Sequence, residues 1–328
     1  MDLLDRLRMD VPVAQAGMGG GIAGGRLAAA VASAGGLGTI GLRPQEELRA
    51  AIRRVRAEAA DRAVVVNLLM PFARRGHVEV CLGEGIDAAV LAFGGGARLV
   101  RELRDAGVFV FVMVGTEGQA RDAVAWGADG LIAQGCEAGG HLLGTSAALQ
   151  FLPRAIELAQ GRPVLMAGGV ASSVDTVAAL AAGASGVVAG TRFLLTAESE
   201  AHDEYRQRVL SAAKTIETTL FGLGWPARHR VVPNAATQRW CRPDGTARRL
   251  PALINAGSGP LGRLAPESSA GSVVKMQRPA VPLFTPAAPL EGMPGSWVDR
   301  AALYAGESAL RITEVVSAKQ AVAELAGR

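Results

Sequence analysis

The segment Gln134-Gly135-Cys136-Glu137-Ala138-Gly139-Gly140-His141 carries the sharpest chemistry in the sequence. Two glycines let the backbone bend and set the imidazole of His141 over a ligand. A neutral histidine near pH 7 is a competent general base. His77, His202 and His229 have no such setting and read as structural or exposed. Cys136 has no second histidine near it in sequence to activate it, and reads as a small buried residue. Asn67, in Val66-Asn67-Leu68, puts an amide at the end of an otherwise apolar run. A ligand is the main reason for such an amide; a structural hydrogen bond is the alternative.

Three glycine clusters each follow an apolar run: Ala16-Gly17-Met18-Gly19-Gly20-Gly21, Ala167-Gly168-Gly169 and Ala189-Gly190-Thr191. Glycine lets backbone N–H groups approach a phosphate closely, and a helix starting near Thr191 would add its N-terminal dipole. The first cluster also spells Gly19-x-Gly21-x-x-Gly24, a dinucleotide pattern. The next apolar run ends in Gly41-Leu42-Arg43, without the acidic residue that would hold a ribose, so the pattern is weak.

Eight apolar runs must position these groups: 12–16, 37–40, 63–69, 88–93, 108–114, 128–133, 163–167 and 185–190. Each is apolar on both faces, as strands of a parallel sheet are. The stretches between them each have room for one helix; in 45–59, Leu48, Ile52 and Val55 fall at helical spacing. Gly107, Gly127 and Gly183 sit where a helix would end before the next strand. Eight strand–helix units in series predict an α/β fold, a closed (β/α)8 barrel, with an open doubly wound sheet as the alternative. In a barrel, the two later glycine turns follow neighbouring strands, where a phosphate site is often built. The expected division is a barrel over 1–220, an inserted cap over 221–295 and a helical return over 296–328. Residues 198–220 read as helical. The stretch 222–294, rich in Pro, Gly and Arg, reads as irregular.

Composition narrows the function classes. Apolar residues make up 49% of the 328 and charged residues 20%, enough for a large core and too little charge for wholesale disorder. The net charge of +4 comes from scattered Arg pairs and not from a basic block, which argues against nucleic acid. Three widely spaced cysteines, Cys81, Cys136 and Cys241, support neither a disulfide framework nor a zinc site, so no metal is expected. The start, MDLLDRLRMD, has no apolar signal core, and no stretch is long and apolar enough to span a membrane. The chain reads as soluble and cytoplasmic.

With these pieces in hand, the sequence resembles the nitronate monooxygenases, formerly called 2-nitropropane dioxygenases. The match runs through PVAQAGMGGGIAGGRLAAAVASAGGLGTIG, VVNLLMP, AQGCEAGGH, PVLMAGGVAS, GASGVVAGTRFLLTAESEAH and ALYAGES. The resemblance implies an FMN-dependent TIM barrel with a small extra domain. It places Ala16, Gly17 and Met18 against the flavin ring. It gives Asn67 and Gln134, with Gly139 and Gly140 beside them, to holding the flavin. Gly168, Gly169, Gly190 and Thr191 fall on its phosphate clamp. His141 falls on the active-site histidine, and Tyr304 on a C-terminal segment near the substrate. The proline that usually precedes the methionine is Gly17 here, as it tends to be in flavin enoyl-ACP reductases of the second type.

The activity implied is oxidation of alkyl nitronates, and of parent nitroalkanes, by O2 to a carbonyl compound and nitrite. The alternative is NAD(P)H-dependent reduction of an enoyl thioester or a quinone, because such reductases resemble this chain in the same places. A flavin-binding barrel without turnover is a third class. The partners implied are a small-molecule substrate and O2, with no nucleic acid and no membrane; a homodimer is left open.

Overall fold

The computed structural model describes residues 2–259 and 277–328, so part of the expected cap, 260–276, lies outside the described residues. Eight parallel strands run in chain order around one sheet: β1 (Val13–Gln15), β2 (Thr39–Ile40), β3 (Val65–Leu69), β4 (Ala88–Ala92), β5 (Phe109–Val114), β6 (Gly130–Gln134), β7 (Val164–Ala167) and β8 (Gly186–Ala189). Val13 pairs with Val187, and a bridge from Ala14 to Leu37 closes β1 onto β2. The sheet is therefore a (β/α)8 barrel, as the eight apolar runs predicted.

Side chains alternate along each strand. Ala14, Val65, Val90, Phe111, Ile132 and Leu165 fill the interior, which Leu3, Leu7 and Met9 plug from the N-terminal end. The intervening residues, such as Val66, Leu68, Leu91 and Val112, pack against the surrounding helices. Phe111 needs space: a Cβ on Gly130 would lie 2.7 Å from its ring, so glycine on β6 is what admits an aromatic on β5. The same alternation aims Asn67 and Gln134 inward, two residues beyond Val65 and Ile132, at the mouth where the strands end.

The helices between strands form where the sequence placed them. Gly107 (φ +81°) and Gly183 (φ +95°) follow helices Ala97–Asp105 and Ser173–Ala181 in the left-handed conformation that lets the chain turn back into the barrel. The C-terminal helix, Ala318–Ala326, packs between helices Gly25–Ser33 and Ser173–Ala181.

Beyond the barrel the chain is more regular than composition suggested. The stretch read as helical over 198–220 holds a helix only over Asp203–Leu210; the β-branched run that follows forms a strand, Ile216–Thr218. That strand pairs antiparallel with His229–Val231, which pairs in turn with Gly140–His141. Helices Ala235–Trp240 and Arg249–Gly257 follow, the first capped by Asn234, whose side chain accepts from the Thr237 amide. Among the described residues no helix is long and apolar enough to cross a membrane.

Candidate active site

A cavity of about 1470 Å³ opens at the C-terminal ends of the barrel strands. Val90, Phe111, Ile132 and Leu165 form its floor, and the strand-to-helix loops form its rim. Every residue given a flavin, catalytic or substrate role from the sequence lines it: the Ala16–Met18 turn, Asn67, Gln134, Gly139 to His141, both later glycine turns with Thr191, and Tyr304. Fold topology thus gathers segments up to 288 residues apart, from 16 to 304, around one space.

The glycine turns leave room for a ligand. Gly168 (φ +113°) and Gly169 (φ +72°) hold backbone conformations that side chains rarely adopt. A Cβ on Gly168 would stand 3.4 Å from both the Gly135 and Ala138 amides. Next to them Gly190 leads into Thr191–Leu194, a helix of four residues. That is too short for the macrodipole the sequence suggested, so the backbone amides themselves are the anion-attracting feature. Thr191 Oγ1 accepts from the Gly306 amide at 3.0 Å.

Asn67 and Gln134 serve the site differently. Asn67 Nδ2 donates to Gly17 O at 2.7 Å, while its Oδ1 is buried with no partner. A buried amide oxygen without a donor is costly, and a ligand N–H is the natural remedy. Gly17 must be glycine, since a Cβ there would run into the Asn67 side chain. Gln134 spends both ends of its amide on the loop ahead: Nε2 donates to His141 O at 2.9 Å and Oε1 accepts from Leu143 N at 2.9 Å. It thereby fixes the backbone of His141. The unpartnered Asn67 oxygen, the side-chain-free glycine turns and the cavity volume all fit a flavin.

His141 sits in an aromatic setting. Its ring stacks on Trp225, centroids 3.7 Å apart and planes 17° from parallel. His229 is 4.9 Å away and Tyr304 5.5 Å. Its Nε2 is buried with no hydrogen-bond partner. Burial, and secondarily the neighbouring His229, hold the imidazole well below the ordinary histidine range, so it is neutral at pH 7. His229 is itself fully buried: Nδ1 donates to Ala227 O at 2.9 Å and Nε2 accepts from Phe221 N at 3.3 Å. Burial lowers it to about 4. Tyr304 donates its hydroxyl to Pro286 O at 3.0 Å, and burial pushes the phenol well up. Burial, with the Glu137 charge, also raises the half-buried Cys136 thiol, which keeps it from serving as a thiolate.

Three residues of this setting were given no role in the site from the sequence. Trp225 stood in a Gly/Pro-rich stretch, in a chain with only 4% aromatics, and that scarcity was a usable signal. His229, read as structural or exposed, is buried, and its place beside His141 follows from their strand pairing. Phe93 ends the fourth strand's run with φ +62°, a conformation costing about 1–3 kcal/mol for such a residue. Its ring meets Trp225 edge-on at 5.0 Å, and the Gly94-Gly95-Gly96 run after it marks the tight turn.

Comparison with known proteins agrees with this geometry. The family model described as nitronate monooxygenase matches residues 2–77 and 60–327. A Mycobacterium tuberculosis protein named (3aS,4S,5R,7aS)-5-hydroxy-7a-methyl-1-oxo-octahydro-1H-indene-4-carboxyl-CoA dehydrogenase is 37% identical over 262 residues, 78% of this chain and 72% of that one. Among solved structures, FabK from Thermotoga maritima superposes with a TM-score of 0.77 at 28% identity, over 98% of this chain and 94% of that one. Nitroalkane oxidase from Streptomyces ansochromogenes also gives 0.77, at 26% identity, over 99% and 96%.

Proposed function

The chain belongs to the nitronate monooxygenase family, an oxidoreductase family, and we propose that it oxidises alkyl nitronates with FMN and O2 to carbonyl compounds and nitrite. The observation that carries this reading is His141: a buried, neutral imidazole on the wall of an apolar cavity, with no acidic partner among the described residues. A nitronate is an anion with its charge spread over two oxygens. A neutral imidazole donates its N–H to one of them, and its lone pair takes the α-proton of a parent nitroalkane. Proton abstraction fails if the ring is already charged, because the lone pair is then occupied.

The remaining residues bind and exclude. Gly168, Gly169, Gly190 and Thr191 would hold the FMN phosphate on backbone amides and a hydroxyl. Asn67 Oδ1 would accept a ring N–H, with Ala16 to Met18 alongside the ring. The bound flavin supplies the redox chemistry, and the protein supplies position and electrostatics. Met70, Phe93 and Trp225 on the cavity wall keep water from the reacting carbon.

A second reading, reduction of an apolar thioester or a quinone by NAD(P)H, is favoured by cavity size. A site for one drug-sized ligand occupies about 300–1,000 Å³, and 1470 Å³ leaves space for more than a flavin and a short nitronate. The similarity to a carboxyl-CoA dehydrogenase points the same way. Anaerobic mixing with NADH separates the two. Under the first reading the yellow colour persists; rapid bleaching by NADH would move the function to the second.

A further inference from the structure

The backbone of His141 is well held. Gln134 donates to its carbonyl, and the strand Gly140–His141 pairs with His229 and Arg230. The imidazole is a separate matter. A catalytic histidine is usually oriented by a hydrogen bond at its second ring nitrogen. Among the described residues Nε2 has no partner, and no carboxylate acts on the ring. The titratable groups turned towards it are His229, from the neighbouring strand, and Tyr304, from the C-terminal segment; both are buried and uncharged.

What lies flat on the ring is Trp225. The indole is braced by Phe72 at 5.3 Å and Phe93 at 5.0 Å, both nearly perpendicular to it. Its backbone is pinned in a tight turn, Trp225 N donating to Gly222 O at 3.0 Å and Ala227 N to Trp225 O at 2.8 Å. His229 closes that turn through Ala227 and Phe221. The strained Phe93 gains a purpose here, since its left-handed backbone is what delivers a bracing ring.

We propose that Trp225 is the positioning residue of this site: its indole fixes the plane of the His141 imidazole and screens one face of it from water. This rests on His141 facing the substrate. Two effects of the indole on proton affinity oppose each other. A cation–π attraction favours the charged ring by about tenfold. Loss of water disfavours it by about a thousandfold or more for a base buried on all sides, and the indole accounts for one of the two ring faces. Desolvation wins, so removing the indole should raise the proton affinity of His141.

The test uses the flavin-loaded protein with labelled histidine. Only four histidines are present, and His141→Ala identifies the relevant ring signal. In Trp225→Ala, His141 should gain about tenfold or more in proton affinity, and the acid limb of the kcat/KM profile should move up in pH with it. An imidazole that titrates as in the parent protein would overturn the proposal. If Trp225→Ala does not fold, Trp225→Phe and Trp225→Leu decide. The flat phenyl should keep kcat within about threefold while leucine loses about tenfold or more; equal kcat values would overturn it. The ring titration needs no substrate. Full activity in His141→Ala would therefore sink the functional role of His141 without touching the effect of Trp225 on its ring.

Discussion

A Cβ on Gly139 would stand 2.5 Å from the Gly306 nitrogen, and one on Gly306 would stand 2.8 Å from the Gly139 nitrogen. The loop after β6 and the C-terminal segment thus meet backbone to backbone. Glu307 N donates to Glu137 O at 3.0 Å beside this contact, and Gly306 N donates to the Thr191 hydroxyl. One junction therefore joins the His141 loop, the end of β8 and the segment bearing Tyr304.

Gly139→Ala tests that junction. The obstructing atoms are main chain and cannot swing aside, so the two segments must separate. The expected cost is about 1–3 kcal/mol, read as a lower urea midpoint, with reduced flavin retention because the Thr191 side shifts too. An unchanged midpoint would show that the segments slide freely.

Gly169→Asp addresses the phosphate turn. A side chain there meets Glu137, whose Cγ would be 3.2 Å from the new Cβ, and it adds a carboxylate where an anion is to bind. The variant should keep its helical circular dichroism and purify colourless. Full flavin occupancy would mean the phosphate lies elsewhere.

His229 gives a pH prediction. Its folded pKa is about 4 against about 6.5 in an unfolded chain. As pH falls below about 6.5, the unfolded chain takes up the proton first, so stability drops until about pH 4 and then levels off for this group. The full difference is about 3 kcal/mol. His229→Gln can still donate to Ala227 O and accept from Phe221 N, but it does not titrate. Between pH 7 and 4.5 its melting temperature should fall less steeply than that of the parent. Parallel curves would mean His229 is protonated in the fold.

His141→Ala should separate two substrates. A preformed nitronate has already lost the proton that a nitroalkane must give up. Loss of a general base costs about 10²–10⁴-fold, so kcat/KM should fall far more for the nitroalkane than for its matched nitronate. Flavin content should stay near normal. Equal losses would assign His141 to anion binding alone.

Much of the site was legible because its chemistry contradicts its surroundings. Asn67 is an amide in a run of Val and Leu, and Gly168-Gly169 breaks the strand VLMA. A period-two pattern then tells which residues face the mouth. The setting of His141 was not legible in the same way. Its strand is two residues long and pairs with His229, 88 positions on by number. Trp225 reaches it through a turn whose course depends on buried bonds from His229. Such contacts follow from long-range packing, which local spacing does not encode. The strand at 216–218 was hidden for a related reason, lying five residues after a true helix.

Nitrite release is the most direct measurement of the proposed activity. Flavin-loaded protein is mixed with propyl-2-nitronate in air, without any nicotinamide nucleotide, while nitrite and dissolved O2 are followed together. The expected result is nitrite formed in step with nitronate consumed, O2 uptake, and no stimulation by NADH. No nitrite above the protein-free control, together with flavin bleaching by NADH alone, would contradict nitronate oxidation.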